Sequence, residues 1–301
     1  MSTCEASHGA QKPLLASRPA TLTAAFVPVF VGSALCWQQG KFHAASAAIA
    51  LLGALLIQLG TNYANDLHDF LKGTDDENRV GPTRAVQAGL ISIEAMRRAM
   101  VITFLLAFLV GLLLVWRAGW PIALLGLFSI LSGWAYTGGP YPLGYHGLGD
   151  LFVFLFFGFA AVVGTYYVQC LEAPLVAWYF SIPVGASCTA IIVVNNLRDR
   201  EGDEVSGKRT LAVRWGARWT RRYYVGLLLS ATLATPLYLL HRPFSWFLLA
   251  PLLLLPFVWY LARALQTSEG EALNPVLAKT AGFHLVLGLV IGASLMLSGG
   301  S

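Results

Sequence analysis

Long apolar runs separated by short polar segments dominate the chain. A helix that crosses a bilayer needs roughly 20 predominantly apolar residues. That rule predicts nine spans, at about 20–38, 44–66, 97–116, 119–137, 149–170, 174–196, 221–240, 244–264 and 278–297. Several contain Gly or Pro, which membrane helices tolerate because neighbouring groups re-satisfy the freed backbone. The expected fold is all-α: a polytopic membrane protein with nine transmembrane helices around a central cleft open to the cytoplasmic side. Residues 20–301 form one transmembrane domain. Residues 1–19 are polar and lack a basic segment followed by an apolar stretch and a small-residue cleavage site, so they read as a flexible N-terminal tail.

Two apolar runs end in unusual polar clusters. The run Ala45 to Gly60 leads into Asn62, Asn65, Asp66 and Asp69, followed by Lys72, Asp75, Asp76, Arg79 and Arg84. At about 100° per residue, those two asparagines and two aspartates share an arc of about 100° on one helix face. The run Ile182 to Val194 leads into Asn195, Arg198, Asp199 and Asp203, then Lys208 and Arg209. Asp199 and Asp203 are i,i+4 neighbours. Acids and amides at the ends of membrane helices are costly and point to function.

Composition sharpens this picture. Only 12% of residues are charged and 56% are apolar, against about 25% charged in ordinary soluble domains. The net charge of +5 does not imply nucleic acid, because the basic residues gather in loops between spans. Of the 20 lysines and arginines, only Lys41, Arg117 and Arg242 belong to the side opposite the N-terminus. The positive-inside rule then makes the tail and both aspartate loops cytoplasmic and the C-terminus external, in a plasma or inner membrane. Cys4, Cys36, Cys170 and Cys188 show no metal or pairing pattern and read as small core residues.

Oxygen ligands without a His/Cys set suit Mg²⁺, or Mn²⁺, over softer metals. Mg²⁺ commonly uses a few carboxylates plus substrate phosphate oxygens. Two aspartate faces across a cleft suit a bridging diphosphate, with Arg79, Arg84, Lys208 and Arg209 near in sequence to add positive charge. A charged head handled at a membrane cleft implies a long apolar tail. A polyprenyl diphosphate has both, and aromatic faces such as Phe152, Phe154, Phe156, Phe157, Phe159, Tyr166 and Tyr167 suit the allylic cation left by ionisation. The Gly/Pro-rich loop from Tyr136 to Asp150 reads either as an interfacial turn or as a wall beside the aspartates.

At these residues the chain resembles the UbiA superfamily of intramembrane prenyltransferases. Asn65, Asp66 and Asp69 follow its first motif, and Asp199 and Asp203 its second. Three details are similar to the branch that prenylates 1,4-dihydroxy-2-naphthoate: the run Asn62 to Asp75, the run Arg79 to Arg84, and Val194 to Asp199 with Gly207 to Leu211. One departure is Gly73, which stands where many members carry a further Asp. Asp75 or Asp76 would have to replace it.

The resemblance implies alkylation of 1,4-dihydroxy-2-naphthoate by a polyprenyl diphosphate, releasing diphosphate and CO₂. It makes Asp66, Asp69, Asp199 and Asp203 the catalytic acids, holding Mg²⁺ with Asn62, Asn65 and Asn195. Lys72, Arg79, Arg84 and Lys208 would bind the diphosphate. Asp150, Tyr136 and His68 are candidates to take the naphthol proton. The partners are the two substrates and the lipid bilayer, with no obligatory protein partner. Other acceptors, namely 4-hydroxybenzoate, homogentisate or a glycerol phosphate lipid, share the same diphosphate half. A transporter whose acids form ion pairs, such as Asp199 with Arg198 or Arg200, is the reading from another class.

Overall fold

The structure is a computed structural model. It describes residue 18 and residues 21–75, 80–241 and 245–298. Helices dominate: α1 Leu22–Gln38, α2 Ala44–Leu71, α3 Ile93–Ala118, α4 Trp120–Ala135, α5 Gly149–Cys170, α6 Leu175–Arg198, the short α7 Arg200–Val205, α8 Leu211–Leu237, α9 Trp246–Thr267 and α10 Leu273–Ser298. No strand occurs among the described residues.

Seven helices are long and apolar enough to cross a membrane; α1 and α4 are apolar but shorter. Each of these nine coincides with an expected span, the short α7 with none, and two of the nine open in a way the hydropathy did not show. The seventh was expected from about residue 221. The structure starts α8 at Leu211, with non-helical backbone at Gly216 (φ 73°). Its lead-in carries Arg214, Arg218, Arg221 and Arg222, which masked the helix in a hydropathy reading. The eighth opens as a 3₁₀ helix, Trp246–Leu254, before becoming α-helical.

α6 is the most buried of the long helices and packs against α5, α8 and α10. Its contact with α5 is backbone to backbone: a Cβ added to Gly158 would lie 2.8 Å from the Ser181 carbonyl oxygen. Small residues at such crossings allow helices to approach where lipid gives no hydrophobic drive to associate. α5 is π-helical over Phe154–Ala160, directly at this contact. Large apolar side chains on α3 and α4, including Leu105, Phe108, Leu112 and Phe128, face outward, as expected for a surface in contact with lipid.

The helix ends form two polar levels. At one, Arg198 bonds Asn274, Asn274 bonds the Val80 carbonyl, and Arg221 pairs with Glu269. At the other, Lys41 pairs with Glu172 at 2.6 Å, Arg117 donates to the Val168 and Gln169 carbonyls, and Gln38 donates to Ser298. Both aspartate clusters belong to the first level.

Candidate active site

The first cluster is built by the end of α2 and the chain reversal after it. Gly73 sits at φ +71°, a left-handed conformation open to glycine at little cost. The turn lets the Thr74 and Asp75 amides donate to the Asp69 carbonyl, folding Asp75 back under the helix end. Asp66, Asp69 and Asp75 are all buried. Asp66 accepts the backbone N–H groups of Ala85 and Val86 at 3.0 and 3.1 Å. That fork holds the 80–90 loop against α2 and aims Arg84 inward. Arg84 then pairs with Asp75 at 3.0 Å and lies 3.7 Å from Asp69.

The second cluster straddles the α6–α7 break. Asp199 closes α6, yet the Asp203 amide still donates to the Asp199 carbonyl at 2.8 Å, which keeps the two acids one turn apart. Arg198 grips Asp199 through Nε at 2.8 Å and a terminal nitrogen at 2.7 Å, and also holds Asn195. Asp203 is buried, with Lys208 3.4 Å from Oδ1 and no hydrogen-bond partner at Oδ2.

The two clusters meet at Lys208 and Tyr145. Burial would lower the Lys208 ammonium, but the charges of Asp69, Asp203, Asp199 and Asp75 raise it instead. Asp203 is pushed up to about 6, first by burial and further by Asp199 and Asp69, against the lowering effect of Lys208. Tyr145 donates to Asp69 at 2.9 Å and shares a 2.6 Å hydrogen bond with Thr74. Its ring lies under the ammonium groups of Lys72 (4.6 Å) and Lys208 (5.4 Å). Its carbonyl accepts the Arg209 amide. The Tyr136–Asp150 loop is thus a wall of the site. Lys72 donates to the Thr137 carbonyl at 2.6 Å and Asn65 accepts the Thr137 hydroxyl. Burial lowers the Lys72 ammonium. Lys72, Arg209 and Arg214 line a basic vestibule beside Tyr145.

Below the acids lies an apolar cavity of about 250 Å³ between α1, α2, α3, α4 and α5. Gln58 and Thr61, a few residues before Asp66 on α2, line it together with Tyr136 of the α4–α5 loop, as do Ile122, Leu114 and Val168. Of the aromatic residues expected around an allylic cation, Phe152, Phe156 and Phe157 line the cavity. Phe154 packs against the core, Phe159 meets Trp178, and the Tyr166 hydroxyl donates to Gln39 near the opposite polar level. Tyr167 packs against a smaller cluster around Leu114 and Val168.

Several of the expected site residues have protein partners in this structure. Arg84 and Lys208, expected to bind a diphosphate, pair here with Asp75 and Asp203. Asp66 was grouped with the ion ligands, whereas its carboxylate engages backbone amides. Asn62 bonds Gln58 and Thr21. Arg79 and Asp76 lie outside the described residues. Tyr145 and Thr137 escaped the sequence reading, whereas the Arg198–Asp199 pair is one that the transporter reading offered. Tyr145 looked like one aromatic among several in a turn, and nothing local to the chain places it beside Asp69.

Among the described residues no three His, Cys, Asp or Glu side chains converge as a ready-made cation cage. The donors nonetheless suit a hard divalent ion: they are carboxylates and amides, and the buried Oδ2 of Asp203 lacks a partner. Mg²⁺ needs only one or two protein carboxylates when phosphate oxygens complete its shell.

An all-helical chain with an acid- and base-rich end over an apolar cavity belongs to the class of membrane proteins that handle amphiphiles with charged heads. The chain is a member of the UbiA prenyltransferase family, whose model matches residues 25–295. It is 38% identical to the 1,4-dihydroxy-2-naphthoate octaprenyltransferase of Escherichia coli, over 93% of this chain and 94% of that protein. It is 39% identical to the enzyme of the same name from Mycobacterium tuberculosis, again over 93% and 94%. A UbiA homolog from Archaeoglobus fulgidus, solved bound to DMAPP and Mg²⁺, shares the fold with a TM-score of 0.65 at 16% identity, covering 95% of this chain and 99% of that one.

Proposed function

We propose that this protein transfers a polyprenyl group from polyprenyl diphosphate to 1,4-dihydroxy-2-naphthoate, releasing diphosphate and CO₂ and giving demethylmenaquinol. The observation that carries this reading is the position of two buried acid clusters, joined through Lys208 and Tyr145, at the polar end of an apolar cavity. The acceptor follows the activity named for the two bacterial relatives. All nine apolar helices, the shorter α1 and α4 included, cross the bilayer in this reading, with the aspartate end cytoplasmic and the C-terminus external, as the distribution of basic residues supports.

Asp69 on one face, and Asp199 with Asp203 on the other, would hold a divalent ion each once phosphate oxygens complete the shell, with Asn65 and Asn195 at their flanks. When bound, it supplies positive charge to the departing diphosphate. Asp66 acts through the backbone of Ala85 and Val86, fixing Arg84, and is a positioning residue. Lys72, Lys208 and Arg209 meet the diphosphate oxygens, and Lys208 exchanges its carboxylate partner for phosphate as the head group arrives. The apolar cavity takes the tail and keeps water from the allylic cation, whose charge the Phe152, Phe156 and Phe157 faces stabilise. The electron-rich ring carbon bearing the carboxylate attacks this cation, and loss of CO₂ restores aromaticity. Asp150 is the side chain best suited to take the naphthol proton, being buried with no hydrogen-bond partner at Oδ2.

The test is purified protein in detergent with radiolabelled prenyl diphosphate and each candidate acceptor in turn. Prenylation with CO₂ release from the dihydroxynaphthoate, stopped by chelation and restored by Mg²⁺, is the expected result. Preference for homogentisate or a glycerol phosphate would reassign the acceptor. Solute movement without diphosphate release would favour a transporter.

A further inference from the structure

At the polar level opposite the aspartates, Cys36 at the end of α1 and Cys170 at the end of α5 bring their sulfurs to 3.0 Å. They are 134 residues apart in sequence, and neither hydropathy nor spacing links them. Both are free thiols. An S–S bond is about 2.05 Å long, so closing this pair requires about 1 Å of movement. The backbones are already in close contact: a Cβ on Gly32 of α1 would lie 2.7 Å from the Val162 carbonyl oxygen of α5.

The surroundings mark this as a water-facing edge. The Lys41–Glu172 pair, five and two residues beyond the two cysteines, is half-exposed, at 50% and 45% of the side chains. Cys170 itself is partly exposed and Cys36 buried. The Tyr166 hydroxyl ties Gln39 to Glu172 from below, holding the two turns in register. Packing alone would explain one cysteine at a helix crossing. Two thiols in contact beside an aqueous rim, on the side that the basic-residue distribution makes external, are arranged for oxidation.

We propose that Cys36 and Cys170 form a reversible disulfide that staples α1 to α5, two walls of the apolar cavity. The co-reactant is a disulfide donor, either oxidised glutathione or a thiol oxidoreductase of the external compartment. The partly exposed Cys170 thiolate attacks the donor disulfide, giving a mixed disulfide and one released thiol. Cys36 loses its proton, displaces the second donor sulfur and completes the bond. Two protein thiols are oxidised and one donor disulfide is reduced to two thiols.

The experiment uses the full-length protein with N-ethylmaleimide present from cell lysis, followed by intact-mass and peptide mapping. The expected result is a Cys36–Cys170 linked peptide and a protein two hydrogens lighter than its reduced form, gaining two maleimide adducts only after reduction. Formation of the same bond on adding oxidised glutathione to purified reduced protein also supports the proposal. The Cys188→Ser variant retains the link and Cys170→Ser loses it. Maleimide on both thiols at lysis and again after oxidised glutathione overturns the proposal, as does a link through Cys4 or Cys188. None of these outcomes depends on which prenyl acceptor the protein uses.

Discussion

The Tyr145 hydroxyl donates to Oδ1 of Asp69 at 2.9 Å while the same ring underlies the ammonium groups of Lys72 and Lys208. One side chain from the loop between α4 and α5 therefore orients an acid of the first cluster and a base of the second. A hydrogen bond to a charged group is worth about 1.5–3 kcal/mol. Tyr145→Phe keeps the ring and removes the donor, so we expect kcat/KM to fall by roughly 10- to 100-fold at saturating Mg²⁺. Tyr145→Ala also removes the platform for Lys72 and Lys208 and should cost more. Steady-state kinetics of the two variants check this order.

Asp199 is held by the buried guanidinium of Arg198. Removing one member of a buried pair leaves an uncompensated charge, at a cost of about 3–5 kcal/mol. Asp199→Ala is expected to abolish turnover and also to lower the unfolding temperature. Arg198→Met added to Asp199→Ala should recover stability without activity. Thermal unfolding beside activity separates the two losses.

As a proposed ion ligand, Asp203 would make the Mg²⁺ requirement depend on pH. Its carboxyl is pushed up to about 6 by burial and by Asp199 and Asp69, so it holds its proton at pH values where a free carboxyl has lost it. A divalent ion at this site would bind the ionised form. The Mg²⁺ concentration for half-maximal activity should therefore rise as pH falls through about 6 and level off above it. Stability carries the opposite sign. Between the ordinary carboxyl value of 3.8 and about 6 the native state binds more protons than the unfolded chain, so this group's contribution falls as pH rises across that window. Mg²⁺ titrations across this range check the first statement and denaturation without Mg²⁺ the second.

Asp66 tests positioning against ligation. Asp66→Asn retains one acceptor for the Ala85 and Val86 amides and loses the charge. If Asp66 only holds the loop, the variant keeps its Mg²⁺ requirement and loses roughly 10-fold in kcat/KM, in line with one weakened hydrogen bond to a charged group. A large rise in the Mg²⁺ requirement would return Asp66 to the ligand set.

Gly111 and Gly126 line the cavity, and a Cβ at either meets nothing within 4 Å. A larger side chain there fills space instead of clashing. Gly126→Leu should leave turnover of a short prenyl diphosphate within about 3-fold and sharply reduce that of a long one, because the lost volume is tail volume. Competition between donors of two lengths reads this directly.

The apolar runs by themselves determined the helices, because a bilayer allows a backbone few alternatives to continuous helix. They located α1 to α6 within a few residues and misjudged α8, where the arginines of its lead-in interrupt the hydropathy signal. The two aspartate stretches were legible as well, since carboxylates at the ends of membrane helices are too costly to be incidental. Which partner each polar atom takes was a different matter. Asp66 with the Ala85 and Val86 amides, Arg84 with Asp75, and Tyr145 with Asp69 depend on loops that return to the helix ends from 9 to 76 residues away. The same holds for Cys36 and Cys170. Periodicity reports which face of a helix is buried, but contacts across the bundle arise from the packing of several helices at once, and only the tertiary structure decides them.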